Sequence, residues 1–130
     1  MSEDARLRSP LGRALGLGSA KEGVAHWWAQ RVTAAALVPL AVWFVVSIVA
    51  LTGADRSVMV AWLHAPFPAI VTVLLLIAVF YHMSLGIQVV IEDYVHSEWF
   101  KISALVLNKL AAFVLAICGI FAVLRIAFQG

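Results

Sequence analysis

Residues 69–91 read AIVTVLLLIAVFYHMSLGIQVVI. No Asp, Glu, Lys or Arg interrupts the run. As an α-helix it extends about 34 Å at roughly 1.5 Å per residue, enough to cross the hydrocarbon core of a bilayer. It is too long for a barrel strand and lacks the alternation of one. The segment predicts a helix whose solvent is lipid, and the rest of the chain is read from it.

Two more apolar runs flank this one. Residues 32–52, VTAAALVPLAVWFVVSIVALT, carry no charge. Pro39 lies inside them, which in water argues against a helix. In a bundle, neighbours can satisfy the freed carbonyl, so a kinked helix is expected. Residues 102–128 form the third run, interrupted by Asn108 and Lys109 and continuing as LAAFVLAICGIFAVL to Arg125. Lys109 and Arg125 stand near enough to its ends to snorkel.

The sequence therefore predicts an all-α membrane protein with three transmembrane helices, at 29–52, 69–94 and 102–128. Segments 1–28, 53–68 and 95–101 lie outside the bilayer in this reading. Composition agrees: of 130 residues, 64% are hydrophobic and 12% charged, and the mean hydropathy is +1.01. A soluble domain of this size needs far more polar surface. The formal net charge of +2 is too small to suggest nucleic-acid binding. The single cysteine, Cys118, leaves no intrachain disulfide and reads as a small hydrophobe.

Segment 1–28 is polar and broken by Gly12, Gly16, Gly18 and Gly23. It is not read as a signal peptide, because the first long apolar run starts too far in and no small-residue cleavage site follows. Gly53, Pro66 and Pro68 punctuate the first connection, where Trp62 and His64 suit the headgroup level. Arg6, Arg8, Arg13, Lys21 and Arg31 precede or open the first helix, whereas the loop after it holds only Arg56. Lys101, with Lys109 nearby, follows the second helix. The positive-inside rule then predicts a cytoplasmic N-terminus and an external C-terminus.

His82 is the residue that asks for chemistry. An ionisable group at mid-span usually faces the bundle interior and has a partner. A metal or haem ligand, a proton relay, a ligand contact and a bond to a neighbouring helix are all open readings. His26, His64 and His96 fall at or beyond helix ends, so a bis-histidine haem would need its second ligand from another chain. Gly86 and Asp93 share a helix face with His82. The missing side chain of Gly86 suits either a flat macrocycle or a close helix neighbour.

Glu92, Asp93 and Tyr94 close the second helix, where acidic groups oppose the macrodipole. A phenol beside a carboxylate can donate to a carbonyl ligand and supply protons; a solvated end with an interfacial tyrosine is the plainer reading. Arg31, five residues after His26, can reach lipid phosphate or a carboxylate-bearing cofactor. Trp27 and Trp28 read as interface anchors.

Two stretches carry a resemblance. GSAKEGVAHWWAQRVTAAALVPL enters the first helix, and HMSLGIQVVIEDYVH places a glycine four residues after the histidine and Asp-Tyr eleven and twelve residues after it. Together with the three-helix plan they resemble the hydrophobic membrane anchor (D) subunit of succinate dehydrogenase, complex II of the respiratory chain, in its alphaproteobacterial and mitochondrial branch. The resemblance implies His82 as an axial ligand of haem b and Tyr94 as a hydrogen-bond donor to ubiquinone, with Asp93 in the same site. It places Arg31 and His26 near the haem propionates or the quinone. It also implies a C subunit (cytochrome b) sharing the haem, an iron–sulfur subunit, a flavoprotein and the bacterial inner membrane. The chain carries no flavin, iron–sulfur or dicarboxylate motif, so it is not expected to oxidise succinate itself. A fumarate reductase anchor and a haem-free structural subunit are the alternatives.

Overall fold

The computed structural model describes residues 21–128, together with Leu11. Four helices fill that span: α1 at Lys21–Ala50, α2 at Arg56–His64, α3 at Pro66–Tyr94 and α4 at Glu98–Phe128. Three of them are long and apolar enough to cross a membrane, over Gly23–Ala50, Pro66–Tyr94 and Glu98–Phe128.

The spans are helical because lipid offers no partner for backbone polar groups, and a helix satisfies them internally. Side-chain hydroxyls follow the same rule. The hydroxyls of Ser47 and Thr52 donate to the carbonyls of Trp43 and Ile48, four residues back, at 2.8 and 3.2 Å. Helix α1 continues through Pro39. It ends before a turn in which Gly53, at φ 80°, takes the one left-handed conformation among the described residues.

The helix ends differ from those read in the sequence. Helix α1 already covers Lys21 rather than beginning at 29, so Trp27 and Trp28 belong to the helix and not to a segment before it. The connection 53–68 is not simply a loop, because α2 occupies most of it. Pro66 and Pro68 punctuate nothing; they sit in the first turn of α3, where a missing N–H costs no helical bond. Helix α4 opens at Glu98, whose carboxylate suits the positive helix start. Apart from Leu11, the segment before residue 21, with Arg6, Arg8 and Arg13, lies outside the described residues.

Helix α3 is the middle of the bundle. Helices α1 and α4 both pack on it and not on each other, and α2 lies against α3 and α4. The α3–α4 seam is held by two features. The Asn108 side-chain amide donates to the Ser84 carbonyl at 2.9 Å, and Gly119 faces Leu76 so closely that an added Cβ would lie 3.2 Å from the leucine Cδ1. At the other end of the bundle, Trp43 of α1 stacks on Trp62 of α2 at 5.7 Å and meets Phe67 of α3 edge-on at 5.9 Å.

Very little of this is a core. The buried hydrophobic residues are Ala69, Leu75, Leu85, Ala112 and Val123. Val49, Phe113 and Phe121, in the spans, are each 66% exposed, and so are many other large apolar side chains. On a soluble monomer such a surface would be a large aggregation patch. On a multi-pass membrane protein it is the surface offered to lipid and to neighbouring helices.

Candidate functional site: a histidine seam and an amphiphilic groove

The α1–α3 seam is built from a polar stripe in an apolar helix. His26, Gln30 and Thr33 are spaced four and three residues apart, so they share one face of α1. Opposite them on α3 stand His82 and Gly86. The Thr33 Oγ1 lies 2.9 Å from the Nδ1 of His82, a contact across 49 residues of sequence. The same oxygen lies 2.7 Å from the carbonyl of Ala29 and 3.1 Å from that of Gln30. The other ring nitrogen of His82, Nε2, has no hydrogen-bond partner among the described residues.

Gly86 makes no tight contact among the described residues. A Cβ there would meet only the Gln30 Nε2, at 3.9 Å, which is ordinary van der Waals distance. Gly119, pressed against Leu76, is a packing glycine; Gly86 is not.

A groove of about 850 Å³ opens between α1 and α4, with α3 as its floor. His26, Tyr81, Ser84, Gln88 and Lys109 supply its polar groups, and Phe113 belongs to its apolar part. Ile77 of α3 and Ile117 and Ile120 of α4 extend the lining away from the end that holds His26, Gln88 and Lys109. The Nε2 of His26 is buried without a hydrogen-bond partner among the described residues. His82 does not line this groove, so the two histidines serve different faces of α3.

The remaining sequence candidates scatter. Arg31 is exposed, with its guanidinium 5.4 Å above the ring of Trp27. Five residues turn a helix by about 140°, so Arg31 faces away from the stripe that starts at His26. Trp27 and Trp28 meet edge-on at 5.1 Å. Asp93 and Tyr94 lie at the end of α3, both exposed and without side-chain hydrogen bonds among the described residues. Glu92 differs from them: it accepts a hydrogen bond from Gln88 at 2.8 Å. From His82 to Asp93 the rise along an ideal helix is about 16 Å.

Sequence reading missed Thr33 and the Ser84–Asn108 clamp. Both are cross-helix contacts and leave no local trace. The polar stripe His26–Gln30–Thr33 in an otherwise apolar helix was the available signal for the first.

Comparison with known proteins agrees with this architecture. The family model described as succinate dehydrogenase/fumarate reductase transmembrane subunit matches residues 5–124. The succinate dehydrogenase hydrophobic membrane anchor subunit of Paracoccus denitrificans is 31% identical over 120 residues, which is 92% of each chain. Its counterpart from Rickettsia bellii is 33% identical over 116 residues, 89% of this chain and 93% of the relative. The succinate dehydrogenase membrane anchor subunit of Reclinomonas americana is 32% identical over 98 residues, 71% of this chain and 79% of the relative. No solved structure matches the chain. Three apolar spans of this plan, matched over nearly their whole length, mean that the chain belongs to the membrane anchor subunits of succinate dehydrogenase.

Proposed function

We propose that this anchor supplies His82 as one axial ligand of haem b and places Tyr94 and Asp93 at a ubiquinone-reduction site. The observation that carries the reading is the state of His82. It sits at mid-span with Nδ1 held by Thr33 and Nε2 without a hydrogen-bond partner among the described residues, beside a glycine that packing among those residues does not require. A haem ligand needs such a nitrogen, and a macrocycle needs such a gap. One histidine is half of a bis-histidine site, so the second ligand comes from a C subunit. A haem bound there would supply a one-electron store.

At the end of α3, the phenol of Tyr94 donates a hydrogen bond to a quinone carbonyl. Asp93, exposed to water, passes protons toward the same oxygen. Reduction to the quinol takes two electrons and two protons; the electrons come from an iron–sulfur subunit, and a flavoprotein draws them from succinate. His26 lies in the quinone or haem-propionate region in this proposal, supported by its orphaned Nε2. Arg31, turned away onto Trp27, suits a headgroup anchor there. The succinate-oxidising direction follows the names of the curated relatives.

Purification through a tag on this chain tests the reading. Three further chains and a b-type band in the reduced-minus-oxidised spectrum are expected. A complex with the enzyme subunits but no haem would leave only a structural anchor.

The charge asymmetry supports a cytoplasmic N-terminus in the bacterial inner membrane, which puts Asp93 and Tyr94 on the side of the soluble subunits. A C-terminal alkaline phosphatase fusion is expected to be active and a C-terminal fluorescent protein dark. The opposite pattern would place Tyr94 on the wrong face for this site.

A further inference from the structure

We propose that Thr33 is the positioning residue that sets the tautomer of His82, so that the ligand nitrogen is Nε2. The inference rests on the haem reading above. It starts from a count of protons. A threonine hydroxyl has one hydrogen and accepts through its lone pairs. The carbonyl oxygens of Ala29 and Gln30, at 2.7 and 3.1 Å from Oγ1, can only accept. The hydroxyl proton therefore goes to the backbone, shared between the two carbonyls or held by the nearer one.

The 2.9 Å contact between Oγ1 and Nδ1 still needs a proton, and only the imidazole can bring it. Nδ1 carries the hydrogen and donates to Thr33. In a neutral ring the lone pair then resides on Nε2, the atom left without a partner among the described residues. If the hydroxyl instead donated to Nδ1, Oγ1 would stand at hydrogen-bond distance from two carbonyl oxygens with no proton between them. That arrangement is the less stable one. Threonine suits the task because a helix restricts its χ1 to two rotamers, one of which makes this back-bond to the preceding turn. The oxygen is thereby held at a fixed point facing α3.

A metal-bound histidine commonly has its second nitrogen donating in this way, which orients the ring and raises its basicity. Removing such a partner typically weakens the metal site about 10–100-fold. Thr33→Val keeps the shape and removes the acceptor. In the purified four-chain complex it is expected to lower haem affinity by that order and to move the haem midpoint potential upward. The direction follows because a less basic imidazole stabilises the oxidised iron less. Thr33→Ser restores the hydroxyl and should return both values to wild type. Should the valine variant fail to assemble, Thr33→Ala provides the same comparison with a better helix former.

His82→Ala is run in parallel. If it retains the haem spectrum, the haem reading falls. If it abolishes the band while Thr33→Val or Thr33→Ala keeps wild-type haem content and potential, the haem reading stands and the role of Thr33 is overturned. A serine variant as disturbed as the alanine one would also overturn it, because the hydroxyl would not be the cause.

Discussion

His82→Ala is expected to abolish the b-type absorption band of the assembled complex while the three helices still insert. Replacing the imidazole removes the proposed ligand nitrogen, and the other histidines, His26, His64 and His96, lie at or near helix ends in the structure. None of them stands within the α1–α3 seam at that depth. The structural loss is small by comparison. The variant gives up the Thr33 contact, and polar contacts between membrane helices are worth about 0.6 kcal/mol on average. Haem quantitation and a reduced-minus-oxidised spectrum of the purified complex check the prediction. A band of unchanged height and position would remove His82 from the site.

Tyr94→Phe is expected to impair succinate-to-quinone turnover while sparing electron transfer to an artificial acceptor that draws upstream of the quinone. Tyr94 is 77% exposed in this chain and makes no hydrogen bond among the described residues, so its phenol holds nothing of the fold together. Whatever the variant loses is then not lost through the fold of this chain. The size of the loss distinguishes two roles. A neutral hydrogen bond contributes about 0.5–1.5 kcal/mol, or roughly two- to tenfold in quinone affinity. A phenol that also transfers a proton contributes about a hundredfold or more to turnover. Steady-state kinetics with a soluble quinone separate the two through KM and kcat, and haem content should stay at the wild-type level. Full quinone reductase activity with unchanged inhibitor sensitivity would return Tyr94 to an interfacial anchor.

The three spans were legible because lipid imposes a single crude requirement, a long run without charge, and residues 32–52 and 69–91 both meet it. The ends were less legible. Hydropathy says nothing of helix that continues into the headgroups, so the first turns of α1 were read as a polar segment. Likewise, Pro66 and Pro68 look the same in sequence whether they break a helix or begin one. Helix α2 was missed because nine residues between prolines and a glycine read as connection. His82 stood out by depth, and its spacing to Gly86, Asp93 and Tyr94 carried the family resemblance. Its partner Thr33 did not, since a hydroxyl in a membrane helix is usually satisfied by its own backbone. Here it bonds its own helix and also bridges to the next one. Arg31 shows the converse: the resemblance placed it in one region with His26, and five residues of helix turn the two onto different faces of α1.

Helix α1 packs on α3 and not on α4, and its cross-helix side-chain hydrogen bond goes to the nitrogen opposite the proposed ligand atom of His82. The two nitrogens belong to one rigid ring, so docking of α1 and occupancy of Nε2 are coupled equilibria. By reciprocity, whatever free energy the docked α1 adds to ligand binding, the bound ligand returns to the docking of α1. Under the haem reading proposed above, cofactor loading then also tightens the docking of α1, by the same factor that Thr33 adds to ligand binding.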